Sequence, residues 1–176
     1  MFFILSITVV IFLIIEVFGN FYKIDKYVYR SGKLNSYNLQ FYHKIYNFKT
    51  IINLHGKSSK SWYKDEKNIS KQNDITHIDF KLKNSIIYDT NTTKQLVQLM
   101  KDAKKPMLIH CLGGADRTSL ASALYIYAIK NSSKQEANKQ FAWYYGHLPM
   151  IRKKVIAMDR SFDLFVDEAK KDKNED

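Results

Sequence analysis

Short apolar runs with the character of β-strands alternate along this chain with longer segments of helical periodicity. The strand-like runs are rich in β-branched residues or alternate apolar and polar side chains, and they cover residues 27–31, 50–54, 75–82 and 107–109. Parallel strands need a crossover connection of about a dozen residues or more, and a helical segment of that length follows each run. This order predicts an α/β fold in which a mostly parallel central sheet is flanked by helices.

The helical segments are bounded by turn and capping residues. They are predicted over residues 36–47, 62–73, 92–103, 118–130, 135–145 and 157–170. Thr92 and Gln95 have the spacing of a capping box, which places the start of the third helix near residue 92. In the strand over residues 75–82, the alternation places His77 and Asp79 on a solvated face, opposite the apolar residues that would join the core.

The N-terminal 18 residues are almost wholly apolar and carry a single charge, at Glu16. This length approaches the roughly 20 residues that span a bilayer core, and the segment has no polar face with which to lie on a surface. We predict that residues 1–19 form a single-pass transmembrane anchor, with a signal segment as the alternative. Residues 20–170 suffice for one domain and residues 171–176 form a charged tail. Because basic residues are common throughout, the side of the membrane is left open.

The net charge of +11 is spread along the chain and does not form one basic block. A dispersed charge gives only nonspecific attraction to nucleic acid, so no nucleic-acid partner is predicted. The simpler expectation is a field that attracts phosphorylated substrates or anionic lipid. The single cysteine excludes an internal disulfide, and the sequence does not indicate an oligomeric state.

That cysteine lies in the segment HCLGGADRTS, residues 110–119, between a predicted strand and a predicted helix. Ligands of parallel sheets bind beyond the carboxyl ends of the strands, where the first amides of the next helix attract anions. Gly113 and Gly114 allow successive N–H groups to turn toward one ligand, and Arg117 adds a planar fork that matches two phosphate oxygens. The amides and the guanidinium should lower the pKa of the Cys111 thiol. A thiolate beneath a bound phosphate is a nucleophile directed at phosphorus.

The same loop supplies the other roles expected at the site. The residues that would bind phosphate are Leu112, Gly113, Gly114, Ala115, Asp116 and Arg117. Thr118 would hydrogen-bond Cys111 and assist its departure from the phosphoenzyme, and His110 would orient the loop through backbone contacts. This chemistry requires no metal and no cofactor. A buried structural cysteine is the alternative, but the glycines and the Arg-Thr pair at this spacing would then be coincidental.

The pattern His110-Cys111-x5-Arg117-Thr118 resembles the signature loop of the cysteine-dependent protein tyrosine phosphatases, in their dual-specificity-like group. Other segments resemble a bacterial, membrane-linked branch of this superfamily, namely residues 20–21 (NF), 29–32 (YRSG), 51–54 (IINL), 77–80 (HIDF), 145–147 (YGH) and 157–162 (AMDRSF). The resemblance covers most of the chain after residue 19 and implies the family's sheet flanked by helices. Two positions depart from it: relatives often carry arginine where His55 stands, and glycine where Ser119 follows the Arg-Thr pair.

The resemblance implies a phosphatase that hydrolyses phosphate monoesters through a phosphocysteine intermediate. Phosphoinositide-directed loops often contain lysine between the cysteine and the arginine, and residues 112–116 contain none. This favours phosphotyrosine or a mixed phosphoprotein specificity. Two alternatives stay open: a phosphoinositide or lipid phosphatase at the membrane, and a catalytically silent phosphate-binding module.

Hydrolysis through a phosphocysteine requires a proton for the leaving oxygen and a base for the attacking water. Many relatives place an aspartate in a mobile loop well before the cysteine, in the zone where this chain has Asp79 and Asp89. Certain relatives carry aspartate directly before the arginine, where this chain has Asp116. We rank Asp116 first as the general acid, Asp89 second and Asp79 third. The alternative roles are an ion pair between Asp116 and Arg117, a turn or cap at Asp89, and a solvated strand position at Asp79.

Overall fold

The structure, a computed structural model, describes residues 17–174 and has a five-stranded sheet at its centre. The strands are β1 Tyr22–Lys23, β2 Val28–Ser31, β3 Thr50–Asn53, β4 Thr76–Asp79 and β5 Met107–His110. Their order across the sheet is β1-β2-β5-β3-β4. The pairs β2–β5, β5–β3 and β3–β4 are parallel, and β1 runs antiparallel to β2. The predicted α/β fold with a mostly parallel sheet is confirmed, and β5 lies in the middle of that sheet.

Helices cover both faces of the sheet. They are α1 Ser36–Tyr46, α2 Ser61–Gln72, α3 Thr90–Asp102, α4 Asp116–Leu124, α5 Lys134–Asn138 and α6 Ile156–Asn174. On one face, Ile51 and Leu108 join the core that α1 and α2 cover. On the other face, Ile52 and Ile109 pack into the core that contains α3, α4 and α6. Neighbouring residues of a strand point to opposite faces, so strands covered on both sides are apolar without alternation.

The face of β4 that was predicted to be solvated carries polar partners instead. The side chain of His77 is only 2% exposed and lies 2.7 Å from a carboxylate oxygen of Glu66 on α2. Asp79 accepts hydrogen bonds from the Asn53 amide at 2.9 Å and from the Tyr63 hydroxyl at 2.6 Å. The prediction of a solvated face was wrong for His77. Alternation distinguishes the two faces of a strand, but it does not show which face a helix covers or that the helix supplies a polar partner such as Glu66.

Several helix boundaries also differ from the predicted ones. Asp89 is the N-cap of α3 and accepts the Thr92 amide at 2.8 Å, so the helix begins at Thr90 and the Thr92–Gln95 capping box was wrong. The single helix predicted over residues 135–145 is α5 followed by two 3₁₀ turns, Lys139–Phe141 and Trp143–Tyr145. The last helix, α6, continues into residues that were assigned to the charged tail.

The structure does not support the membrane anchor predicted over residues 1–19. Between residues 17 and 174, no helix is long and apolar enough to cross a membrane, and residues 1–16 of the prediction lie outside the described residues. On this finding the prediction of a membrane localisation was wrong: a span requires about 20 predominantly apolar residues in one helix, and the described helices contain no such stretch. None of the proposals below uses a membrane anchor.

Candidate active site

The single cysteine lies at the carboxyl end of the central strand, where β5 gives way to the loop that leads into α4. A cavity of about 380 Å³ opens above this loop. Six of its lining residues were predicted from the sequence to belong to the site: Cys111, Leu112, Gly113, Ala115, Asp116 and Arg117. The crossover connections of a parallel sheet bring the chain back to this edge repeatedly, so Lys33, Asn84 and Arg152 complete the walls from distant segments.

Cys111 is almost fully buried at the floor of the cavity. The Gly114 amide donates to its sulfur at 3.3 Å. Burial by itself raises the pKa of the Cys111 thiol, but the charge of Arg117 opposes it, as do hydrogen bonds from Thr118 and from the Gly114 amide. The net effect lowers the pKa below its ordinary value, so the thiolate is favoured as the sequence predicted.

Arg30, a buried arginine to which the sequence assigned no role, contacts the loop from the side of β2. Arg30 on β2 is fully buried, and its Nη2 donates to the Gly114 carbonyl and to the Ser119 hydroxyl, both at 2.9 Å. Its guanidinium also stacks over the Tyr145 ring, 3.7 Å from the centroid. Burial lowers the pKa of Arg30 to about 10, which still leaves it charged at neutral pH. The Ser119 hydroxyl accepts a hydrogen bond from Arg30, and glycine, which relatives often carry at this position, has no side-chain acceptor. The serine therefore adds a contact between the loop and β2.

The two glycines of the loop are not equivalent. Gly114 has a φ of +72°, and a Cβ there would contact the Gly32 nitrogen and lie 2.6 Å from the Ser31 carbonyl carbon. A Cβ on Gly113 would have no neighbour within 4 Å. The tight turn of the loop against β2 therefore depends on Gly114, because only glycine combines a left-handed backbone with so close an approach.

We expect Gly114→Ala to destabilise the protein and Gly113→Ala to be tolerated. The left-handed backbone alone costs about 1–3 kcal/mol for a residue with a side chain, and the contact with β2 adds to it. Urea unfolding of both variants measures the difference, and Gly113→Ala is the matched control in the same loop. Equal stability of the two variants would contradict the proposed packing of the loop on β2.

Arg117 is held by the ends of the neighbouring strand segments. Its Nη1 lies 3.3 Å from His55 Nδ1, 3.3 Å from the Leu82 carbonyl and 3.5 Å from the Leu54 carbonyl. Burial and the charge of Arg117 lower the pKa of His55, so its neutral ring accepts from the guanidinium. Relatives often carry arginine where His55 stands. This departure from the family pattern therefore replaces a cationic side chain by a neutral one that accepts a hydrogen bond from Arg117.

Asp116 pairs with residues from the C-terminal part of the chain and not with Arg117. Its Oδ1 lies 2.9 Å from His147 Nδ1 and 3.0 Å from Arg152 Nη2. Its Oδ2 has one longer contact, with the Asn84 amide at 3.3 Å. His147 Nε2 lies 2.9 Å from Asp159 Oδ2. The predicted alternative, an ion pair that steadies Arg117, is not what the structure shows, since the guanidinium beside Asp116 belongs to Arg152.

The other two aspartates considered as acids lie elsewhere. Asp89 is exposed at the N-terminus of α3, where it caps the helix as its alternative role required. Asp79 is engaged on β4 by Asn53 and Tyr63. Neither residue lines the cavity above Cys111. Of the three candidates, Asp116 alone is in the cavity.

Behind the loop, Glu66 joins two buried histidines that the sequence did not connect. His110 Nε2 lies 3.1 Å from Glu66 Oε2, and His110 Nδ1 lies 3.2 Å from the Cys111 carbonyl. Burial lowers the pKa of His110, but the charge of Glu66 outweighs this and raises it. Burial also raises the pKa of Glu66, and the charge of His110 and the hydrogen bonds from both histidines bring it down to about 2.

We expect Glu66→Gln to reduce the free energy of unfolding by roughly 3 kcal/mol at pH 7, because it leaves His110 buried without its counter-ion. The folded-state pKa of Glu66 is lowered, so this contribution is present above about pH 4.5 and is lost as the pH falls toward 2. Urea unfolding of wild type and variant at pH 7 measures the change. Glu168→Gln removes an exposed partner of Lys94 and should change little. Equal stability of wild type and Glu66→Gln at pH 7 would contradict the assignment.

A thiol of lowered pKa, inside a turn of backbone amides and followed by an arginine at the end of the central parallel strand, defines the class of cysteine-dependent phosphatases. The model of the tyrosine phosphatase family matches residues 15–167. The chain therefore belongs to that family, within the tyrosine and dual-specificity phosphatase superfamily. No curated protein sequence matches it significantly.

Solved structures of similar fold cover most of the chain. TpbA of P. aeruginosa is 19% identical with a TM-score of 0.65, over 85% of this chain and 91% of TpbA. The core catalytic domain of SIW14 from S. cerevisiae is 21% identical with a TM-score of 0.63, over 88% and 93% of the two chains. PTPMT1 is 14% identical with a TM-score of 0.59, over 86% and 99%. At these identities the likeness establishes a shared fold.

Proposed function

We propose that this protein hydrolyses phosphate monoesters through a phosphocysteine formed on Cys111. The observation that carries the proposal is the buried thiol of lowered pKa at the floor of an open cavity, with Arg117 on the same wall. A protein that only binds phosphate gains nothing from a thiolate, since amides and a guanidinium suffice for binding. The site therefore favours an enzyme over a silent binding module.

In the first step, the amides of the loop and the fork of Arg117 hold the three non-bridging oxygens of the substrate phosphate. The Cys111 thiolate attacks phosphorus from the floor of the cavity as the bond to the leaving oxygen breaks. That oxygen keeps the bonding electron pair and takes a proton from Asp116, which lines the cavity. The products are the free alcohol and a phosphocysteine.

In the second step, a water molecule attacks the phosphocysteine while Asp116, now a carboxylate, accepts its proton. The phosphorus–sulfur bond breaks and the thiolate returns with its electron pair. Thr118 and the Gly114 amide stabilise that thiolate, which makes sulfur a better leaving group. Asp116 ends the cycle protonated, and inorganic phosphate is released.

Phosphotyrosine or a mixed phosphoprotein is the substrate class that we propose first. A structure of TpbA from P. aeruginosa is described as a complex with pTyr, and that chain shares the fold of this one. The walls of the cavity carry amide side chains, Asn35, Asn38 and Asn84, which can hydrogen-bond a peptide.

A second candidate substrate, a phosphoinositide, is favoured by a specific feature beside the cavity. A further cavity of about 540 Å³ shares Asn84 and Arg152 with the first and is also lined by Lys153 and Lys154. Neither lysine forms an ion pair with any residue that the structure describes. A substrate with a second anionic group could use these charges.

The test is hydrolysis of an aryl phosphate by the purified protein, with acid quenching to trap phosphocysteine for mass spectrometry. A phosphotyrosyl peptide, a phosphoseryl peptide and a soluble short-chain phosphoinositide are then compared by kcat/KM. A phosphate label on the peptide that contains Cys111 is the expected result. Binding of phosphate without turnover of any of these substrates would indicate the silent module instead.

A further inference from the structure

The segments around His147 and Asp159 were noticed in the sequence only for their resemblance to a family, and the catalytic steps above do not use them. In the structure His147 contacts Asp116, the proposed general acid, and Asp159 contacts His147. His147 follows the 3₁₀ turn Trp143–Tyr145, and Asp159 lies in the first turn of α6. The imidazole bridges Asp116 and Asp159, with both nitrogen–oxygen distances at 2.9 Å.

The distribution of contacts distinguishes the two oxygens of Asp116. Oδ1 has both short contacts, with His147 and with Arg152, while Oδ2 has only the 3.3 Å contact with Asn84. An oxygen that already accepts two hydrogen bonds from cations is a poor position for a proton. The carboxyl group is therefore held with its available oxygen, Oδ2, as the one that can carry and deliver a proton.

His147 cannot touch the substrate itself. Its side chain is 1% exposed and it does not line the cavity, whereas Asp116 and Arg152 do. The groups that face its ring are Asp116 from α4, Asp159 from α6 and the uncharged Phe141 ring, whose centroid is 5.2 Å away. An imidazole with a carboxylate at each nitrogen donates from both, which requires the protonated form.

We propose that His147, anchored by Asp159, is a positioning residue that sets the orientation and the electrostatic environment of Asp116 during proton transfer. The inference rests on the proposed function, because it takes Asp116 as the general acid. Burial lowers the pKa of His147, but the hydrogen bonds to Asp116 and Asp159 outweigh burial and raise it to about 9. The ring is thus a cation over the pH range in which a phosphatase of this kind would be assayed.

The contact with Asp116 has a consequence that a purely structural histidine would not have. His147 and Arg152 together hold Oδ1, so the position of Oδ2 depends on the donor at His147 Nδ1. Replacing His147 by alanine removes this donor, whereas asparagine keeps a side-chain donor near Asp116 Oδ1. Loss of the donor should impair proton transfer to the leaving oxygen and should leave the attack of the thiolate on an activated ester unaffected.

The experiment compares kcat for phenyl phosphate, whose basic leaving group requires an acid, with kcat for a nitrophenyl ester, which does not. In His147→Ala, phenyl phosphate should slow by roughly tenfold or more relative to the nitrophenyl ester, and His147→Asn should restore part of this loss. In Asp159→Asn, the imidazole loses one of its two carboxylate partners, so the ratio should change in the same direction by less. Asp163→Asn is the matched control, since Asp163 lies on the same helix and pairs on the surface with Lys134; its ratio should equal that of wild type.

A ratio of the two rates equal to that of wild type, in a folded His147→Ala or Asp159→Asn variant, overturns the inference, because a purely structural role slows both substrates by the same factor. If His147→Ala does not fold, Asp159→Asn decides, since Asp159 is partly exposed and the amide that replaces its carboxylate can still accept from the ring. Failure of the proposed function is distinct: wild type would then hydrolyse no substrate, or Asp116→Asn would show no dependence on the leaving group.

Discussion

Replacing Cys111 by serine should abolish hydrolysis of an aryl phosphate while leaving phosphate binding intact. A serine hydroxyl in the same place is not ionised by the charge of Arg117 and the loop amides, so the nucleophile is lost. We expect kcat to fall by roughly 10⁴ or more, the order found when a nucleophile is removed from an enzyme. The amides and Arg117 remain, so isothermal titration should give an affinity for a phosphotyrosyl peptide close to that of wild type.

No second thiol can take over the reaction in this test, because Cys111 is the only cysteine of the sequence. Acid-quenched samples of the variant should carry no phosphate, whereas wild type should be labelled on the peptide that contains Cys111. Turnover of the serine variant within about tenfold of wild type would remove Cys111 from the role of nucleophile. Loss of binding together with turnover would show that the substitution disturbed the loop.

Asp116→Asn should slow a substrate with a basic leaving group far more than an activated one. An acid is needed only where the departing oxygen would otherwise leave as an unstable anion, so a nitrophenyl ester should be affected little. For a phenyl or alkyl phosphate we expect a loss of about 10² to 10⁴ in kcat, the usual contribution of general acid catalysis. The alkaline limb of the pH–rate profile should flatten in the variant.

The other two aspartates provide the controls for this assignment. Asp89→Asn retains a good N-cap for α3, so the variant should be folded, and its rates should not depend on the leaving group. Asp79→Asn weakens contacts with Asn53 and Tyr63 and should affect stability more than chemistry. A leaving-group dependence in Asp89→Asn but not in Asp116→Asn would transfer the role of acid to Asp89.

The alternation of strands and helices in the sequence predicted the parallel sheet, because the runs over residues 50–54 and 107–109 are largely apolar and each crossover is long enough to be recognised. It did not predict β1, whose two residues, Tyr22 and Lys23, are too few to form a pattern. The period of two also separated the faces of β4 correctly, but it could not show that α2 covers one of them with Glu66.

The apolar N-terminal segment shows another limit of composition. Hydropathy measures the cost of exposing a segment to water, but it does not specify whether lipid or protein would cover that segment. The inference of a membrane location rested on the hydropathy of the segment, its length and its lack of a polar face. It was not supported by the helices that the structure describes.

The sequence by itself determined the loop around the cysteine, because Cys111, Gly114, Arg117 and Thr118 lie within one short turn between a strand and a helix. The backbone of such a segment brings its own amides and side chains to a common point, whatever the rest of the chain does. The roles of Arg30, Glu66, His147 and Asp159 were decided only by the tertiary structure. Each has a partner in another element of the fold: Arg30 is 84 positions from Gly114, and His147 is 31 positions from Asp116. Such pairs form because a buried polar group must find a hydrogen-bond partner among whatever residues the packing of sheet and helices places beside it.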